Sequence, residues 1–107
     1  MKIKVYMQTV QEKNVLYVND AKRDYVLLNA KETSFDADEF IFAICTMVKE
    51  WPNELKNDEI TDGLKYRIEI KNGEVEKTYS FENKFPKDIY KLRHLINDVL
   101  SEVKHVE

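Results

Sequence analysis

His94 and Asp98 stand four residues apart, the spacing that sets an imidazole and a carboxylate on one helix face, where they could share a metal ion or a proton. His105 shares that side, but eleven residues of helix separate it from His94. That is about three turns and roughly 16 Å of rise, too far for one ion. A solvated helix face is the favoured reading. Cys45 has no histidine at helical spacing to activate it and reads as a buried structural thiol. Ser34, Ser80 and Ser101 lack the G-x-S-x-G context of a nucleophile elbow. Gly63 and Gly73 each stand alone, in neither a dinucleotide fingerprint nor a phosphate loop, so they read as turn residues. The expectation is a chain that is not an enzyme and has neither cofactor nor metal.

Charge patterning is the stronger signal. The 107 residues carry a net charge of -3, unevenly distributed. Residues 1 to 31 hold six basic and three acidic side chains, residues 32 to 62 hold two and nine, and residues 63 to 107 hold nine and eight. Part of the acidic middle third serves a helix start and a solvated connector. The sharper reading is an acidic surface that docks on a basic partner protein, with Glu54, Asp58, Glu59 and Asp62 supplying charge and Phe42 and Trp51 supplying apolar anchors.

The elements that must position these residues are legible from periodicity. Alternation through Ile3, Val5 and Met7, the run from Val15 to Val18 and the run from Tyr25 to Leu28 predict three strands, the first two forming a hairpin. Asp36 as N-cap with Glu39 three residues on, flanked by Phe35 and Phe40 as a hydrophobic staple, opens a helix at Ala37. That helix runs to Glu50 or Trp51, before Pro52. Phe40, Ile44, Met47, Val48 and Trp51 share its core sector, whereas Phe42 falls opposite. Residues 53 to 61 form an acidic connector anchored by Leu55 and Ile60. Leu64, Tyr66, Ile68 and Ile70 alternate with Lys65, Arg67, Glu69 and Lys71, and Asn72-Gly73 predicts a hairpin turn of type I′, with positive φ at both residues.

A two-residue loop at Asn72-Gly73 sets Ile70 opposite Val75, and Glu69 opposite Glu76 as a like-charge pair. A four-residue loop avoids that pair and keeps the same faces. Both place Lys77 on the inner face. Pro86 at the first helical position, with Asp88 in the first turn, opens a second helix with Ile89, Leu92, Leu95, Ile96, Val99, Leu100 and Val103 on one side.

Trp51, Asp62-Gly63, Tyr66 and Asn83-Lys84-Phe85-Pro86 together resemble a pattern in small uncharacterised bacterial and phage-type α+β proteins. There a helix ends near a Trp, Asp-Gly leads into a strand with an aromatic, and an Asn-x-aromatic-Pro motif opens the last helix. The likeness covers roughly residues 35 to 103, and what it implies is fold. The strand aromatic is often Trp where this chain has Tyr66, and Phe81 stands where a Gly is common.

The sequence therefore predicts one α+β domain over residues 1–107: a five-stranded, largely antiparallel sheet in the order βββαββα, both helices on one face. No apolar run spans a bilayer, the N-terminus lacks a signal-peptide core, and one cysteine fits a reducing compartment, so a cytoplasmic protein without membrane contact is expected. The functional expectation is a small acidic protein-interaction module of the immunity or anti-defence inhibitor type. The alternatives are nucleic-acid binding on the outer sheet face through Lys4, Tyr6, Lys65, Arg67 and Lys71, disfavoured by Glu69 and Glu76 on that face, and a homodimer through Phe42. Monomer and homodimer both remain open.

Overall fold

The computed structural model describes residues 1–20, 25–59 and 63–106, with side chains to residue 103. Seven strands and two helices follow in the order β1 (Lys2–Gln8), β2 (Lys13–Asn19), β3 (Tyr25–Leu28), β4 (Lys31–Glu32), α1 (Ala37–Val48), β5 (Glu54–Lys56), β6 (Lys65–Asn72), β7 (Val75–Glu82) and α2 (Ile89–Val106). All strands join one mixed sheet in the order β4-β3-β2-β1-β6-β7-β5, antiparallel except where β5 runs parallel to β7. The expected α+β class holds, but the sheet has seven strands and not five. The two additional strands are two and three residues long, too short to show a period in sequence.

Alternation decides which side of the sheet is covered. Ile3, Val5, Leu16, Val18, Val26, Leu28, Tyr66, Ile68 and Phe81 are all at most 1% exposed, and they share a core with Phe40, Ile44 and Val48 of α1 and Leu92, Ile96 and Val99 of α2. The intervening strand residues are exposed or half-buried, apart from Asn19. A smallest dimension of 20 Å agrees with one helix layer on one sheet, the other face lying open.

Local signals account for the entry to α1. Asp36 accepts a hydrogen bond from the Asp38 N–H at 3.0 Å, and Phe35 meets Phe40 edge-to-face at 5.3 Å, so cap and staple both form. The helix ends at Val48, with Trp51 N–H bonding to Val48 C=O, and the Trp51 ring packs edge-to-face on Phe81 at 5.7 Å.

Other local readings need correction. The β6–β7 register pairs Lys71 with Glu76 and Glu69 with Thr78, as in the four-residue alternative, and Asn72 pairs with Val75 across a loop of Gly73 and Glu74. Only Gly73 has a positive φ (62°), which suits a II′-type first position and not the two positive angles of I′. That I′ pattern occurs instead between β3 and β4, where Asn29 (51°) and Ala30 (69°) both have positive φ. Its effect is to fold β4 back along β3. Helix α2 begins at Ile89, not at Pro86: Pro86 and Asp88 belong to a preceding turn in which Ile89 N–H bonds to Pro86 C=O and Lys91 N–H to Asp88 C=O.

Gly63 answers to a close approach. A Cβ placed there would lie 1.6 Å from the Asn83 Oδ1. Asn83 itself has φ 60° and donates its N–H to the Leu64 carbonyl, which fastens the start of β6 to the end of β7. Gly63 and the Asn-x-aromatic-Pro stretch are thus two sides of one contact.

Candidate functional site

The acidic reading meets the fold first. Glu32 lies in β4 at one edge of the sheet and Glu54 in β5 at the other, roughly 29 Å away over six strand spacings. Asp36, Asp38 and Glu39 sit at the start of α1 between them. The acidic third is therefore spread along the molecule, with one group at the start of α1 and a second at the β5 edge. Glu54, Asp58 and Glu59 are exposed there. Lys56 bonds to Asp58 at 3.2 Å, and its pKa is raised chiefly by Asp58, then by Glu82 and Glu54, so this edge already holds a cation of its own. Asp62, Ile60 and residues 21–24 lie outside the described residues.

Of the two expected apolar anchors, Phe42 is 76% exposed on the outer side of α1, and Trp51 is 8% exposed. Trp51 is a core residue held by Phe81 and offers no ring to a partner. Its placement in the core sector of the helix was legible in sequence; its use as an anchor was not compatible with that placement.

The uncovered sheet face gathers the opposite charge. Outward residues of β1 are Lys2, Lys4, Tyr6 and Gln8; of β2, Lys13, Val15, Tyr17 and Asn19; of β6, Lys65, Arg67, Glu69 and Lys71. Across these three neighbouring strands six basic residues face one acidic residue, Glu69. The register sets Lys4 between Tyr17 and Glu69, Tyr6 between Val15 and Arg67, and Lys2 between Asn19 and Lys71. Tyr25 of β3 extends the Lys2 row by pairing with Asn19.

The aromatic rings in this face are held by cations. Lys4 Nζ lies 4.7 Å from the Tyr6 ring centroid and 5.1 Å from that of Tyr17, and Lys13 Nζ lies 5.9 Å from the Tyr6 ring. The Lys4 pKa is pushed up, first by hydrogen bonding to Tyr6 and then to Tyr17. Lys4 is thus a permanent positive charge at neutral pH. Carboxylates occupy the β7 side: Lys65 bonds to Glu82 at 3.3 Å, and Arg67 to Glu69 at 3.1 Å. Lys2, Lys4, Lys13 and Lys71 make no ion pair among the described residues.

Two shallow hollows flank the Lys4 cluster. One, of about 170 Å³, is lined by Lys2, Lys4, Tyr17, Tyr25 and Lys71 among others. The second, of about 430 Å³, is lined by Tyr6, Lys13, Lys65, Arg67 and Ser80. Each sets a tyrosine beside cations, the combination that accepts a planar base and its phosphate, and each also carries carboxylates that oppose a phosphate, Glu69 and Glu76 in the first and Glu69 and Glu82 in the second. Sequence reading found Lys4, Tyr6, Lys65, Arg67 and Lys71 but not Lys2, Lys13, Tyr17 or Tyr25. The missing signal was strand order, because β1 lies between β2 and β6.

Ser34 donates its hydroxyl and its backbone N–H to the Glu102 carboxylate, and no histidine bonds to either residue among the described residues. His94 is exposed and stacks edge-to-face with Tyr90 at 6.3 Å, and Asp98 is exposed one turn on. No group of three or more His, Cys, Asp or Glu side chains among the described residues could hold a metal. Cys45 is half-buried, its Sγ 3.7 Å from the Met1 Sδ, and burial pushes its thiol pKa up, which disfavours the thiolate. No helix among the described residues is long and apolar enough to cross a membrane.

Compared with known proteins, the chain matches no family model, no curated protein and no solved structure. The likeness noted around Gly63 and Asn83 therefore rests on those residues alone.

Proposed function

We propose that this chain is a non-catalytic binding module whose open sheet face holds single-stranded nucleic acid. The observation that supports this most is the convergence of Lys2, Lys4, Lys13, Lys65, Arg67 and Lys71 with Tyr6, Tyr17 and Tyr25 on one uncovered surface. Cations track a phosphate backbone, and tyrosine rings stack bases without regard to sequence. The net charge of -3 opposes long-range attraction, whereas the local contacts of these cations with phosphates release counterions, so binding weakens as salt rises.

The test is fluorescence anisotropy of a labelled oligothymidine in low salt, with wild type and Lys4→Glu/Arg67→Glu. Saturable binding is expected, with a log-log salt slope near -0.7 for each phosphate neutralised. The double variant should keep its fold and lose about tenfold or more in affinity. Absence of binding at low salt, or an unchanged affinity in the folded double variant, overturns the reading.

A second reading retains the acidic inhibitor of the immunity or anti-defence type. It is favoured by the exposed Phe42 ring and by the exposed Glu54, Asp58 and Glu59 at the β5 edge. Capture of a basic partner that is released by salt and lost in Asp58→Asn/Glu59→Gln, together with no oligothymidine binding, would favour it over the first.

A further inference from the structure

Strand β5 covers only part of its neighbour. It pairs with Ser80, Phe81 and Glu82 of β7, and among the described residues nothing pairs with the outer edge of residues 75–78. All four of those residues are exposed, Val75 at 63%. Ser80 N–H points toward β5, where it bonds to Asn53 C=O at 2.8 Å. Backbone groups alternate in direction along a strand, so Glu76 and Thr78 present their N–H and C=O groups on the same open side.

A hollow of about 300 Å³ lies on the helix side of this edge, lined by Val75, Lys77 and Tyr79 of β7 and by Cys45, Val48 and Lys49 at or near the end of α1. Lys77 lies on the inner face of the sheet, where its strand neighbours Tyr79 and Phe81 are buried and apolar. Neither Lys77 nor Lys49 makes an ion pair among the described residues. An apolar hollow with two cations beside an unpaired strand has the chemistry of a strand-addition site, in which backbone bonds hold the peptide and alternate side chains select it.

We propose that residues 75–78 of β7 bind an extended segment of a partner protein in which an apolar residue faces Val75 and an acidic residue, two positions away, faces Lys77. This surface is separate from the open sheet face and does not depend on the nucleic-acid reading. An added strand would bond to the Glu76 and Thr78 backbone over roughly 14 Å. Its apolar side chain would enter the hollow between Val75 and Val48, and its carboxylate would meet Lys77 and Lys49. The competing account of Lys77 is a charge that guards an open edge against self-pairing.

The experiment uses the full chain, isotope-labelled, titrated with a capped seven-residue peptide carrying isoleucine and glutamate at alternate positions with threonine between. Saturable amide shifts confined to residues 75–78 and the end of α1, slower amide exchange at Thr78 and slower alkylation of Cys45 are expected. Lys77→Glu should weaken this peptide about fivefold or more and strengthen one with lysine in place of glutamate. The proposal is overturned by absence of saturable shifts, by shifts centred elsewhere, or by an affinity indifferent to the charge exchange. Self-association of Lys77→Val without peptide binding to wild type would assign Lys77 to the guarding role alone and overturn it equally.

Discussion

The same three strands, β1, β2 and β6, present two faces that differ in nearly every property. On one, Ile3, Val5, Leu16, Val18, Tyr66 and Ile68 lie at most 1% exposed beneath two helices. On the other, Lys4, Tyr6, Tyr17 and Arg67 meet solvent, and their contacts are cation–ring and charge–charge pairs. Burial of aromatic and branched side chains carries the stability of the first face. Exposed pairs contribute little to folding, so the second is free to vary without unfolding the chain. Composition on an open face is thus the better guide to function, and composition on a covered face the better guide to fold.

That contrast can be broken most sharply at Phe81, which is fully buried and meets Trp51. Phe81→Ala should cost about 3–5 kcal/mol in urea unfolding; a loss comparable to that of an outer-face variant would refute the division. Gly63→Ala meets the amide end of the Asn83 side chain and no backbone atom, so the side chain turns aside and a cost of about 1 kcal/mol is expected. Gly73→Ala meets open space but keeps φ near 62°, and a loss of about 1 kcal/mol is expected from strain alone. In the other direction, Ala30→Gly should raise stability by about 0.4–1 kcal/mol, because φ 69° strains alanine and suits glycine. On the open face, Tyr17→Ala should change the unfolding free energy by about 0.5 kcal/mol or less while weakening any ligand that stacks there. A large unfolding effect at Tyr17 would mean that this face too is structural.

Features governed by neighbours in sequence were legible. Asp36, Phe35 and Phe40 announce the start of α1 because cap and staple span only six residues. Strict alternation from Leu64 to Lys71 announces β6. Features set by distant partners were not. Strand β5 exists because the connector after Pro52 pairs with β7, and nothing local marks it. The β6–β7 register departs from a loop at Asn72-Gly73 by one position on each strand. This separates Glu69 from Glu76 and places Lys71 opposite the latter, so cross-strand charge favours the same register as a turn with Gly73 in its first position. Trp51 shows the opposite failure, since a residue already assigned to the core sector was also asked to serve as a surface anchor.

Local chemistry written in the chain determined by itself the α+β class, the period of each long element, and the burial of Ile44, Tyr66 and Ile68. Tertiary structure alone decided that β1 lies between β2 and β6, and with it that lysines and tyrosines far apart in sequence meet on one face. It also decided that acidic residues from one stretch of sequence are carried apart, Glu32 to one edge of the sheet and Glu54 to the other, with Asp36, Asp38 and Glu39 at the start of α1. The physical reason is the same in both cases. Side-chain period is a property of a strand alone, whereas the neighbours of a strand are fixed by backbone pairing and core packing summed over the whole sheet.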